Sequence, residues 1–114
     1  FGSEWSFNLL AGGHNDNAYF DAPGKKIGDW HGDSFGQLDD VEELRLGNRW
    51  IGFSVAFTLS RSATIWRFPI ETISNSEAGF ERVYQGSCLC PKWDLDLAAG
   101  ESWSVSLKFV LRAD

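Results

Sequence analysis

Glu71, Glu77 and Glu81 lie in one segment of the sequence. Two carboxylates roughly 5–9 Å apart can share acid and base, or acid and nucleophile, duties across a glycosidic bond. Spacing in sequence alone does not make such a pair. Arg67 and Arg82 stand close enough to give the same acids an ordinary ion-paired or solvated role. No residue of the chain is therefore expected to be catalytic. The histidines, His14 and His31, stand among Asp16, Asp29 and Asp33, but their spacing matches no zinc pattern and no calcium loop. Cys88 and Cys90 form a lone C-x-C with no third cysteine to complete a metal site, and read as buried structural thiols. Neither metal nor cofactor is expected. A G-x-S-x-G elbow is absent, and Gly24-Lys25-Lys26 lacks the spacing of a phosphate loop.

Aromatic rings are the stronger signal. The chain has nine Phe, six Trp and two Tyr. Flat rings stack on the apolar C–H faces of sugars, while Asp, Asn, Gln and Arg hydrogen-bond the hydroxyls. Trp30, between Asp29 and His31 in a polar stretch, is expected to be the most exposed tryptophan. Trp30, Tyr19 and Trp50 are the candidate stacking residues for a glycan. The competing reading gives these rings to packing, as it does Trp5 and Trp103, which fall on inward phases.

The elements that must position these groups read as strands. Trp103, Val105, Leu107, Phe109 and Leu111 alternate with mostly polar residues, as do Ile51, Phe53, Val55, Phe57 and Leu59. A period of two marks a half-buried antiparallel strand. Trp5-Phe7-Leu9, Ala63–Ile70 closed by Pro69, Phe80–Leu89 and Trp93-Leu95-Leu97 are further candidates. Val41–Leu46 should form a hairpin with the strand after Trp50 through a tight turn at Gly47-Asn48. A helical turn is expected near Asp39–Glu43. Residues 12–37, rich in Gly, Asp, Asn and His, read as a long irregular loop of the kind that is either functional or mobile. The pattern predicts an all-β antiparallel sandwich, with residues 1–114 as a single domain.

Composition narrows the partners. The net charge is −6 and the isoelectric point about 4.8, so a nucleic acid or an anionic membrane is not an expected partner. No apolar run approaches the roughly 18 residues a membrane helix requires. Two free thiols favour a reducing cytoplasmic location. The chain opens without Met or a secretory leader, which suits a piece of something larger.

The block Phe68-Pro69-Ile70-Glu71-Thr72-Ile73-Ser74-Asn75-Ser76-Glu77-Ala78-Gly79-Phe80-Glu81-Arg82-Val83-Tyr84-Gln85-Gly86 resembles a signature of glycoside hydrolase family 57 α-amylases and 4-α-glucanotransferases. The opening Phe1–Gly12 and the run Pro91-Lys92-Trp93 do so as well. The resemblance implies a multi-domain enzyme whose catalytic carboxylates sit in an irregular (β/α) barrel. Its C-terminal end is a β-sandwich related to the galactose-mutarotase-like supersandwich, and this chain resembles the last part of that sandwich. Its implied role is non-catalytic support of the barrel, with α-glucan binding as the alternative. An epimerase-like site by analogy with mutarotases ranks last. Glu71, Glu77, Glu81 and Arg82 would form either a buried or interfacial network docking the sandwich on the catalytic domain, where losing one member of a desolvated charge pair costs about 3–5 kcal/mol, or a local turn held by Arg82 and one carboxylate. Cys88, Cys90 and the loop from His14 to Gly36 are particular to this chain. An incomplete sandwich leaves open edges, which makes a homodimer a further expected option.

Overall fold

The computed structural model describes residues 1–8, 14–76 and 79–113. The elements are β1 (Trp5–Phe7), β2 (Ala18–Asp21), β3 (Gly36–Asn48), β4 (Phe53–Ser76), β5 (Gly79–Lys92) and β6 (Leu107–Ala113). No helix occurs among the described residues, and every strand pairing is antiparallel. The fold class is all-β, as the alternation predicts.

The strands order as β1-β5-β4-β3-β2, with β6 also paired to β4. The 24-residue β4 organises the whole arrangement. A straight strand of that length would reach about 76 Å at roughly 3.3 Å per residue, yet the longest dimension of the molecule is 58 Å. β4 therefore bends. Its first part, Phe53–Leu59, pairs with β6, and its later part, from Thr64 onward, pairs with β5. Opposite this exchange β3 shifts register twice, between Leu38 and Val41 and between Val41 and Glu43.

The bend brings two limbs of one sheet face to face. The Phe109 ring of β6 stacks on Phe57 of β4 at 4.8 Å and meets the rings of Trp5 and Phe7 on β1 at 4.8 and 5.7 Å. β1 bonds only to β5 among the named strands, so these contacts pass through the core rather than along a ladder. Val41, Leu44, Phe57, Ile65 and Leu89 lie at its centre, nearly or completely buried.

Several sequence expectations are corrected here. The strands expected at Ile51–Leu59 and Ala63–Ile70 are one strand that runs on through Pro69. Proline is tolerated there because β3 stops at the Gly36–Arg67 pair, and β4 beyond it is an edge on that side. The helical turn at Asp39–Glu43 is a bulged strand with Asp40 at φ 52°. The hairpin turn falls at Arg49–Gly52, not Gly47-Asn48. Asn48 Oδ1 accepts from the Trp50 and Ile51 amides at 2.9 and 3.3 Å, and Gly52 supplies φ 68°. Residues 93–106 form no strand, and β6 begins only at Leu107. The third alternating residue of the N-terminal candidate, Leu9, lies outside the described residues.

Candidate functional site

The polar stretch before β3 is fixed to the sheet from two sides. Its residues 30–32 run antiparallel along the outer edge of β2: Phe20 N–H donates to Trp30 O at 2.7 Å and Gly32 N–H to Ala18 O at 2.9 Å. Beneath it, Ser34 Oγ accepts from the buried guanidinium of Arg67 on β4. The same hydroxyl lies 3.0 Å from Asp29 O and 2.6 Å from His31 O, its single proton serving both carbonyls. Ser87 on β5 donates to Gly32 O at 2.7 Å and contacts the Tyr84 hydroxyl at 2.5 Å. Burial depresses the Arg67 pKa, and among the described residues its Nε has no hydrogen-bond partner.

On this base the rings assemble. Trp30, Tyr19 and Arg49 line a cavity of about 470 Å³ together with Asp21, Lys25 and Ile27. The Arg49 guanidinium lies 4.5 Å from the Tyr19 ring centre and 5.8 Å from that of Trp30. Its Nη1 donates to Asp16 O at 2.9 Å, which fixes its position. Tyr19 lies directly opposite Gly47, and its ring covers the glycine so closely that a Cβ there would meet it at 2.7–2.9 Å.

Trp30 stacks on His31 at 4.2 Å, and His31 meets His14 at 4.4 Å, both between ring centres. His31 Nδ1 lies 2.8 Å from Asp29 and Nε2 lies 3.0 Å from Asp16. Only an imidazolium donates from both nitrogens. The hydrogen bond to Asp29, then that to Asp16, accordingly raises the His31 pKa, and the bond from His31 holds the Asp29 carboxyl below its usual value. The arrangement gathers the Trp30 and Tyr19 rings, the Arg49 cation held against them and the Asp21 carboxylate around one opening. It suits a neutral, polyhydroxylated ligand with an apolar face better than it suits acid–base chemistry.

The sequence candidates separate in space. Tyr19 and Trp30 share the cavity. Trp30 is half-buried, with one face taken by His31, so it is not the most exposed tryptophan. Trp50 is, at 73%, on the β3–β4 turn and outside the cavity lining. Arg49 escaped the sequence reading because its contact with Tyr19 depends on the β2–β3 register, although its position beside Trp50 was a local hint.

Glu71, Glu81 and Arg82 lie on a two-stranded arm where β4 and β5 pair beyond β3 and β1. Paired residues share a face and neighbours alternate. Glu71, paired with Tyr84, and Arg82, paired with Ile73, are on the face continuous with the core, and Glu81 is on the other. Among the described residues none of the three is in an ion pair. Glu77 lies outside the described residues. Ile73 and Phe80 on the inner face are 66% and 80% exposed.

A convergent set of three metal-ligating side chains forms, among the described residues, at Glu4, Cys88 and Cys90 and not at the histidines. Burial, then the neighbouring Cys90 thiol, pushes the Cys88 pKa up to about 12.

Comparison with known proteins adds three findings. A family model described as "Alpha-amylase/4-alpha-glucanotransferase, C-terminal" matches residues 1–107. Alpha-amylase 1 of Dictyoglomus thermophilum is 38% identical over 111 residues, covering 96% of this chain and 15% of that protein. No solved structure matches the chain.

Proposed function

This chain belongs to the family of α-amylase/4-α-glucanotransferase C-terminal domains, and from that premise we propose that it is a non-catalytic domain that packs on and supports the catalytic part of its parent enzyme. The observation that carries the reading is the arm. Its inner face continues the core face of the sheet past the point where the body covers it, leaving Ile73 and Phe80 exposed beside Glu71 and Arg82. Burying two such apolar side chains contributes about 1.5–3 kcal/mol each. The flanking charges supply orientation at the rim. The occupant is the remainder of the parent chain, since this chain spans about 15% of the length of the relative it matches. Glu71 and Glu81 point to opposite faces of the arm and so do not flank one bond, which supports the non-catalytic reading.

Mixing the chain with a parent enzyme lacking it should release measurable heat and raise the unfolding temperature of the truncated enzyme. Ile73→Ser with Phe80→Ser should remove both effects and leave the chain's own stability within about 0.5 kcal/mol, as expected for exposed sites. No heat and no shift with the unaltered chain would dispose of the reading.

A second reading has its own support. The Tyr19–Trp30–Arg49 cavity favours α-glucan binding, with Trp50 available as an outlying platform. Titration with maltooligosaccharides should change tryptophan fluorescence, and Trp30→Ala should abolish the change. An unaltered spectrum at millimolar sugar rules the cavity out.

A further inference from the structure

We propose that Glu4, Cys88 and Cys90 form a binding site for a thiophilic divalent metal ion of the zinc class. The sequence offers two of the donors in a C-x-C, which is too few for a site. The fold supplies the third. Ser6 pairs with Cys88 and Gly2 bridges to Lys92 in one antiparallel register, so Glu4 falls opposite Cys90. Strand alternation then puts Glu4, Cys88 and Cys90 on the same, outer face of the sheet. The two sulfurs and a Glu4 oxygen all lie within 4.8 Å of one another.

The sulfur spacing is specific. Cys88 Sγ and Cys90 Sγ are 3.8 Å apart. Two thiolates bound tetrahedrally to zinc at about 2.3 Å are separated by about 3.8 Å, so the pair already has the bite that the ion requires. A carboxylate oxygen completes three protein donors, and Glu4 is an exposed side chain on a long stem that can close the remaining gap. Disulfide formation, in contrast, needs the sulfurs drawn to about 2.05 Å, with Cβ vectors that converge. Side chains on alternate residues of one strand run parallel.

The surroundings fit an open rather than a sealed site. A cavity of about 320 Å³ lined by Gly2, Ser3, Glu4, Trp66, Cys90 and Lys92 adjoins the donors and leaves room for water or another ligand in the fourth position. A dication with two thiolates and a carboxylate carries a net single negative charge. The Lys92 ammonium, 4.9 Å from the Trp66 ring centre on this rim, is placed to offset it. Binding would tie the segment before β1 to β5.

The test is titration of the reduced, purified chain with Co²⁺, followed by displacement with Zn²⁺. The readout is thiolate-to-cobalt charge-transfer absorption, which imidazole and carboxylate ligands such as His14, His31 and their aspartates do not give. One Co²⁺ per chain should produce the band, and Zn²⁺ should abolish it and protect Cys90 from alkylation. Cys90→Ser should eliminate the band. Glu4→Gln, at an exposed position, should raise the dissociation constant by more than about tenfold. Cys88 is fully buried and its replacement risks the fold, so Cys90→Ser and Glu4→Gln decide the matter, each checked for native circular dichroism without metal. Absence of the band in the natively folded chain, or its persistence in Cys90→Ser, overturns the site. Unchanged affinity in Glu4→Gln overturns the three-donor assignment.

Discussion

Ser34→Ala tests whether the loop that carries Trp30 and His31 is held by a buried charge. Arg67 is 5% exposed, and its Nε already lacks a partner among the described residues. Removing the Ser34 hydroxyl takes the acceptor from Nη1 and the donor from the Asp29 and His31 carbonyls. Stranding a buried charged donor, together with losing one ordinary hydrogen bond, costs roughly 2–4 kcal/mol. For a chain of this size that corresponds to a drop of roughly 8–16 °C in unfolding temperature. Arg67→Met should behave differently. It removes a desolvated guanidinium with no carboxylate within 4 Å among the described residues and keeps an apolar stem against Phe20, whose ring centre lies 5.3 Å from the guanidinium. Such exchanges are neutral to within about 1 kcal/mol, or stabilising. The double variant should then be more stable than Ser34→Ala alone, with a coupling of about 1–3 kcal/mol. Thermal and urea unfolding followed by tryptophan fluorescence give all three values. Additive losses, or a loss above about 3 kcal/mol for Arg67→Met alone, would refute the account.

Four other outcomes are expected. The raised His31 pKa contributes stability that is complete below the ordinary 6.5 and is lost as pH climbs through the raised folded value. The lowered Asp29 pKa contributes stability that is complete above 3.8 and is lost as pH falls through its folded value. In an NMR titration the His31 midpoint should lie above 6.5 and move back toward it in Asp29→Asn; a wild-type midpoint at or below 6.5 contradicts the double hydrogen bond. Gly47→Ala should cost about 1–3 kcal/mol by driving a methyl group into the Tyr19 ring, read by urea unfolding, and should weaken any maltooligosaccharide binding at the cavity. Phe57→Ala, at a fully buried ring stacked on Phe109, should cost about 3–5 kcal/mol in the same assay. Amide exchange at residues 70–76 and 79–86 should be fast in the isolated chain and at least about a hundredfold slower in the intact parent, since an unsupported two-stranded ribbon is marginal in water; equal rates would speak against docking.

What the sequence revealed depended on whether a residue's role was local. Phe53, Val55, Phe57 and Leu59 keep strict alternation, so their strand was legible. The joining of that strand to the next was not, because the exchange of partners around residues 60–63 interrupts the period without a turn residue. At Asp39–Glu43 the sequence misleads for a definite reason. Val41 and Leu44 are both buried although three residues apart, which is helical spacing. A bulge supplies the same phase change inside a strand. Tyr19 and Trp30 were legible as rings set in polar surroundings, a pattern that does not separate ligand contact from packing. Arg49 and Glu4 were not, since each acquires its neighbours only through the pairing of strands distant in sequence.

The two proposed surfaces place different demands on the fold. The cavity is built inside the domain: Arg67, Ser34 and Ser87 hold the loop, Gly47 seats Tyr19, and none of these contacts needs another part of the parent. The arm is the opposite case. Among the described residues its strands bond to each other alone, and its inner face, with Ile73 and Phe80 uncovered, lacks the opposing layer that Phe109, Trp5 and Phe7 provide in the body. A sheet whose apolar face extends past its own cover gains its remaining stability from whatever completes that layer. Changes at the cavity should therefore register in the isolated chain, and changes at the arm only in the assembled enzyme.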